Sequence, residues 1–143
     1  MTHKAIADVI GRLESVPMWL IALVARFGVA GVFWRSARTK VDGFTIADNT
    51  KFLFEEEYKV PLLDPEVAAL LATIGEHVFP IMLVIGLGAR LGALGLLGMT
   101  AVIQLFVYPM SWPDHLLWTS ALLLILSYGP GKASLDQLIR NRC

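Results

Sequence analysis

Residues 91–109 read LGALGLLGMTAVIQLFVYP, nineteen positions without a charge. At 1.5 Å of rise per residue, a helix of that length covers about 28 Å, close to the hydrocarbon thickness of a bilayer. The segment predicts a membrane-spanning helix. Working outward, residues 17–34 form a second apolar run broken only by Arg26, and residues 67–89 a third, broken by Glu76 and His77. Residues 116–129 are uncharged but short, and need residues 112–115 as an interfacial lead-in. Trp19, Trp34, Tyr108, Trp112, Trp118 and Tyr128 fall near the expected ends, where amphipathic rings favour the headgroup level. The reading is an all-α membrane protein, a single domain over 1–143. Four antiparallel spans are expected at about 17–35, 66–89, 90–109 and 114–130, with one long loop at 36–65.

The composition of the 143 residues agrees. Apolar residues make up 56% and charged residues 17%, both displaced from soluble averages toward lipid. Twelve basic residues balance twelve acidic ones without a basic stripe, which excludes a nucleic-acid partner. The one cysteine, Cys143, excludes a disulfide framework and a dithiol centre.

Residues 4–16 set Ile6, Val9, Ile10, Leu13 and Val16 against Lys4, Asp8, Arg12 and Glu14, the pattern of a helix lying on a membrane surface. With an arginine in its middle and no small-residue cleavage site, the first apolar run reads as an anchor and not as a cleaved signal. In the long loop, Thr45 and Asp48 have the spacing of a capping box, and Ile46, Phe52, Leu53, Phe54 and Tyr58 form one apolar side of a short surface helix. Gly88, Gly92, Gly95 and Gly98 share a helix face suited to close packing. Four crossings place both termini and the 88–90 loop on one side, with six Lys and Arg against five, which favours cytoplasmic termini.

Ionisable groups inside spans cost about 2.5–3.5 kcal/mol each on insertion scales. Arg26 and Glu76 fall at similar depth on antiparallel neighbours, so an Arg26–Glu76 ion pair is expected. Such a pair either fixes helix register or, with His77, forms an intramembrane site for a quinone-like or small anionic ligand. Arg35, Arg38 and Lys40 crowd the outer end of the first span and, with Arg90, make up a candidate basic rim. Pro80 removes the helical hydrogen bond to the Glu76 carbonyl. Gln104 is placed to bond across helices. His3, His77 and His115 lie at three different depths, so a bis-histidine haem is not expected, nor is a metal site.

Several short motifs occur in order from about residue 20 to 138. They are Arg26, then Phe33-Trp34-x-Ser36-Ala37-x-x-Lys40, then Ala72-Thr73-x-x-Glu76, then Gly86-Leu87-Gly88-Ala89-Arg90-Leu91, then Gly129-Pro130-Gly131-x-x-Ser134-Leu135-Asp136. Together they resemble the DoxX family of small four-span membrane proteins. By that resemblance, Arg26, Lys40, Glu76 and Arg90 match recurring polar positions. Arg35, Ala37, His77 and the Phe79-Pro80 pair depart from the usual pattern, and stretches 52–65 and 108–116 resemble a subgroup often encoded beside metal-associated proteins. The resemblance implies thiosulfate:quinone oxidoreduction or oxidant-defence complexes. The leading expectation is therefore an accessory or anchor subunit of a redox or metal-stress system in a bacterial inner membrane. A quinone is its candidate cofactor, and the bilayer together with a protein partner or further copies of the chain are its partners. With no dithiol, flavin fingerprint or haem pair, the chain is not expected to be an enzyme alone, only a subunit of a quinone-linked oxidoreductase. A small oligomeric transporter or metal-handling permease, and a purely structural anchor, are the alternatives.

Overall fold

The computed structural model describes residues 2–142, with side chains from residue 5 onward, so the readings attached to His3, Lys4 and Cys143 lie outside it. Helix α1 (Thr2–Glu14) precedes α2 (Met18–Thr39). A two-stranded hairpin follows, β1 (Val41–Asp42) against β2 (Thr45–Ile46), then α3 (Asp48–Leu53), which widens into a π turn at Phe54–Tyr58. Helix α4 (Pro65–Ile85) leads to α5 (Ala89–Val102), whose last turn is again π, Ile103–Val107. A single 3₁₀ turn at Pro109–Ser111 enters α6 (Trp112–Tyr128), and α7 (Leu135–Arg140) closes the chain.

Helices α2, α4, α5 and α6 pack in a ring, each against two neighbours, as an antiparallel four-helix bundle. The stripes that meet at its centre include Val29, Phe33, Leu83, Leu96, Leu122 and Ile125. Met18–Thr39, Pro65–Ile85 and Ala89–Val107 are long and apolar enough to cross a membrane. At 17 residues, α6 spans about 26 Å and falls short of that length on its own.

Each helix boundary has a local cause. Asp64 caps α4 by accepting the Glu66 and Val67 amides at 3.0 and 3.4 Å, with Pro65 in the first turn. The helix stops at Ile85, not at the expected residue 89, because Gly86 takes a left-handed φ of 74°. A Cβ at Gly86 would lie 2.5 Å from the Ser134 Cβ, so the turn also needs glycine for space. On α5, a Cβ at Gly95 would sit 2.6 Å from the Phe79 ring and one at Gly92 3.2 Å from the Phe79 carbonyl oxygen, the close packing expected of the glycine face, whereas Gly98 on the same helix has open space beside it.

The long loop differs from its expectation. Helix α2 runs to Thr39, beyond the predicted end at 35, so Arg35 and Arg38 belong to its last turns. Thr45 lies in β2, where its hydroxyl donates to the Asp42 carbonyl at 2.9 Å; Ala47 precedes α3 without a side-chain cap, and no capping box forms. The short helix itself is present, and Phe54 is buried against Ala68 and Ala69 of α4. On α1, Ile6, Val9, Ile10 and Leu13 are exposed.

Candidate functional site

Arg26 is buried at 1% exposure and makes four hydrogen bonds, all to backbone carbonyls. Its Nε donates to Leu83 at 2.6 Å and Nη2 to Val84 at 2.7 Å, while Nη1 donates to Pro130 at 2.9 Å and Ala133 at 2.7 Å. Leu83 and Val84 belong to the last turn of α4, whose carbonyls lack helical partners and carry the negative end of the helix dipole. Asp136 completes this joint. Its carboxylate accepts the Gly88 amide at 2.7 Å and the Ala89 amide at 3.0 Å, capping α5, and its own amide donates to the Gly86 carbonyl at 2.9 Å. Arg26 thus ties α2 to the α4–α5 turn and to the segment after α6.

The expected Arg26–Glu76 pair does not form. The acceptor Leu83 is seven residues beyond Glu76, about 10 Å further along α4. Glu76 pairs instead with Lys40, whose Nζ lies 2.8 Å from Oε2 and 3.1 Å from Oε1 and donates also to Ser36 Oγ at 2.9 Å. Side-chain exposure is 14% for Lys40 and 3% for Glu76. Lysine carries three N–H donors, so this ammonium is saturated while the carboxylate keeps unused lone pairs. Lys40, expected at the basic rim, turns inward to Glu76.

The Lys40–Glu76 pair lies in the wall of a cavity of about 630 Å³ between the hairpin end of the bundle and its centre. Phe33, Phe79, Met99, Ile103 and Trp118 supply much of its apolar lining. Tyr58, the last residue of the first π turn, and Tyr108, just after the second, meet at its margin, with their hydroxyls 3.1 Å apart and the rings edge to face. Burial, and then the hydrogen bond with Tyr108, push the Tyr58 phenol above its ordinary range, so it stays protonated at neutral pH. His115 also lines the cavity, fixed by a chain of bonds: Gln104 Nε2 donates to the Pro109 carbonyl at 2.9 Å, which turns its Oε1 toward His115 Nδ1 at 2.6 Å. Because that oxygen only accepts, Nδ1 carries the hydrogen, and Nε2 of the neutral ring is an acceptor.

The remaining predicted site residues do not gather here. His77 bonds the Thr73 carbonyl through Nδ1 at 2.7 Å and stands edge to face with Trp34, so consecutive helical positions separate it from the side of α4 that carries Glu76 into the cavity. Arg35 and Arg38 are exposed on the last turns of α2. Arg90 is at the opposite end of the bundle, donating from Nε to Leu126 at 3.0 Å and from Nη2 to Ser127 at 3.4 Å. Among the described residues no three His, Cys, Asp or Glu side chains converge. What the cavity offers a ligand is charge from Lys40, Glu76 and Asp114 and hydrogen bonding from His115 and two phenols, inside a mostly apolar envelope.

The DoxX family profile matches residues 21–109, well over half of the chain. This chain belongs to the DoxX family. No curated protein matches it, and no solved structure does. It is a multi-pass membrane protein of the DoxX type. Within the DoxX match, two groups of polar residues separate by what they touch. Arg26 and the Gly86–Ala89 turn hold helix ends together, whereas Lys40 and Glu76 face open space.

Sequence reasoning missed Lys40 as the partner of Glu76, and Tyr58, Tyr108, His115 and Trp118 as lining. For Lys40 a signal existed. Arg26, Phe33 and Lys40 are spaced by seven, two turns each, and so share the buried face of α2, while Arg35 and Arg38 leave it. For the aromatic residues no local signal existed, since two of them come from loops that converge only in the fold.

Proposed function

We propose that this DoxX protein is a four-span subunit of a bacterial inner membrane, with cytoplasmic termini, that holds a quinone-sized, lipid-soluble molecule in the Lys40–Glu76 cavity on behalf of a redox or oxidant-defence partner. In this reading α6 is the fourth span, lengthened by the 3₁₀ turn before it. One observation carries the proposal: a cavity of about 630 Å³, in the usual size range for small-molecule sites, with a buried ion pair and a few further polar side chains in a mostly apolar wall. Filling by lipid tails would need no ion pair, and a small inorganic anion would need no apolar volume. A flat ring with carbonyl oxygens uses both. The longer Lys40–Oε1 contact, 3.1 Å, is the one a ligand oxygen replaces, and the Glu76 carboxylate then accepts a ligand hydroxyl after reduction. In this reading the partner supplies the redox chemistry.

The test is titration of the purified protein in mild detergent with a short-chain benzoquinone, read by quenching of Trp118, with Trp118→Phe as the assignment control. Loss of a charge-assisted hydrogen bond should raise Kd about tenfold or more in Lys40→Met and in the neutral double variant Lys40→Met/Glu76→Gln. Saturable binding that is unchanged in both variants, or no saturable binding in the parent protein, would reject the reading.

A further inference from the structure

At the end of the bundle opposite the quinone-sized cavity lies a second one, of about 560 Å³, bounded by the start of α2, the start of α5 and the segment joining α6 to α7. Its charged lining is Arg90, Lys132, Arg140 and Asp136. The acid is already engaged: both Asp136 oxygens accept backbone amides of the α5 N-terminus. Among the described residues none of the three cations is in an ion pair. Arg90 is held in place by the last carbonyls of α6, while Lys132 and Arg140 are exposed. The pocket is therefore net cationic, in a chain whose formal net charge is zero.

Its position defines the ligand further. Trp19 and Tyr128, at the ends of α2 and α6, form part of the wall, and rings of this kind settle at the boundary between hydrocarbon and headgroups. Leu91 of the wall is exposed on the first turn of α5. Helix α1, joined to this end through Ser15, Val16 and Pro17, also leaves Ile6, Val9, Ile10 and Leu13 exposed. Cationic groups at headgroup depth, with apolar surface running away from them, match a molecule that is anionic at one end and hydrocarbon at the other.

We propose that this pocket binds the headgroup phosphate of an anionic phospholipid. Arg90 and Arg140 donate N–H groups to the phosphate oxygens, Lys132 adds a point charge, and the acyl chains lie along the lipid-facing side of α5. The assignment is independent of what fills the Lys40–Glu76 cavity.

Native mass spectrometry of the full-length protein, exposed to equal amounts of phosphatidylglycerol and phosphatidylcholine with identical chains, tests this. Phosphatidylglycerol should be retained about tenfold over phosphatidylcholine, and Lys132→Gln/Arg140→Gln should bring the ratio close to one. Arg35→Gln/Arg38→Gln, which removes the same charge from the other end, should leave the ratio unchanged. Equal retention of both lipids, or selectivity kept in Lys132→Gln/Arg140→Gln, would overturn the site. Displacement of phosphatidylglycerol by millimolar inorganic phosphate would overturn the lipid assignment and give the pocket to a soluble anion.

Discussion

Replacing Arg26 with methionine keeps a long side chain in the bundle but removes four hydrogen bonds of 2.6–2.9 Å. Each involves a cation, and such bonds contribute about 1.5–3 kcal/mol when scored singly. They do not simply add, because removing the buried guanidinium also recovers its desolvation cost. What is not recovered is the satisfaction of the Leu83, Val84, Pro130 and Ala133 carbonyls, and the counter-charge for the nearby Asp136. A net loss of about 3–5 kcal/mol is expected, in line with breaking a buried charged network by deleting one member. Arg26→Lys should recover little, since a compact ammonium with three donors cannot reach four carbonyls on two chain segments. The assay is equilibrium unfolding in mixed micelles, followed by helical circular dichroism, with both variants compared against the parent. Exchanging charges as Arg26→Glu/Glu76→Arg should be worse than either single change, because the two residues have different partners. Full stability of Arg26→Met, complete rescue by Arg26→Lys, or recovery in the exchanged pair would refute the reasoning.

Two other perturbations follow from the joint and the cavity margin. Gly86→Ala forces a side chain into a left-handed φ of 74° and against Ser134, and should destabilise by roughly 2 kcal/mol or more in the same unfolding assay, while Gly28→Ala, mid-helix with open space around it, should cost nothing and stabilise by up to about 1 kcal/mol. The Tyr58 phenol is held above its ordinary pKa in the folded protein. Above about pH 10 the unfolded chain therefore releases this proton while the folded chain keeps it, so the contribution is complete below that pH and lost above it. Thermal midpoints across the alkaline range should fall less steeply in Tyr58→Phe than in the parent protein.

The amino-acid sequence alone determined the helices and much of what they bury. Charge-free runs of bilayer length have one economical backbone solution, since only a helix satisfies its own amides within hydrocarbon. Residues 91–109 could hardly be read otherwise, nor could 17–34 with its single charge, Arg26, and the glycine and motif pattern was enough to resemble DoxX. The amphipathic first helix and the short helix of the long loop were legible for the same reason: side-chain periodicity is local. Partner choice was not. Matching Arg26 with Glu76 by depth required helix ends known to within a turn, yet α2 continues four residues past its expected end and α4 stops four residues early. Arg26 then found acceptors in backbone carbonyls, which every residue possesses and no motif announces. Lys40 reached Glu76 because a flexible four-carbon stem on the buried face of α2 covers more than a turn of height. The cavity belongs to tertiary structure alone: its walls come from four helices and two loops, and no segment read by itself shows where those surfaces fail to meet.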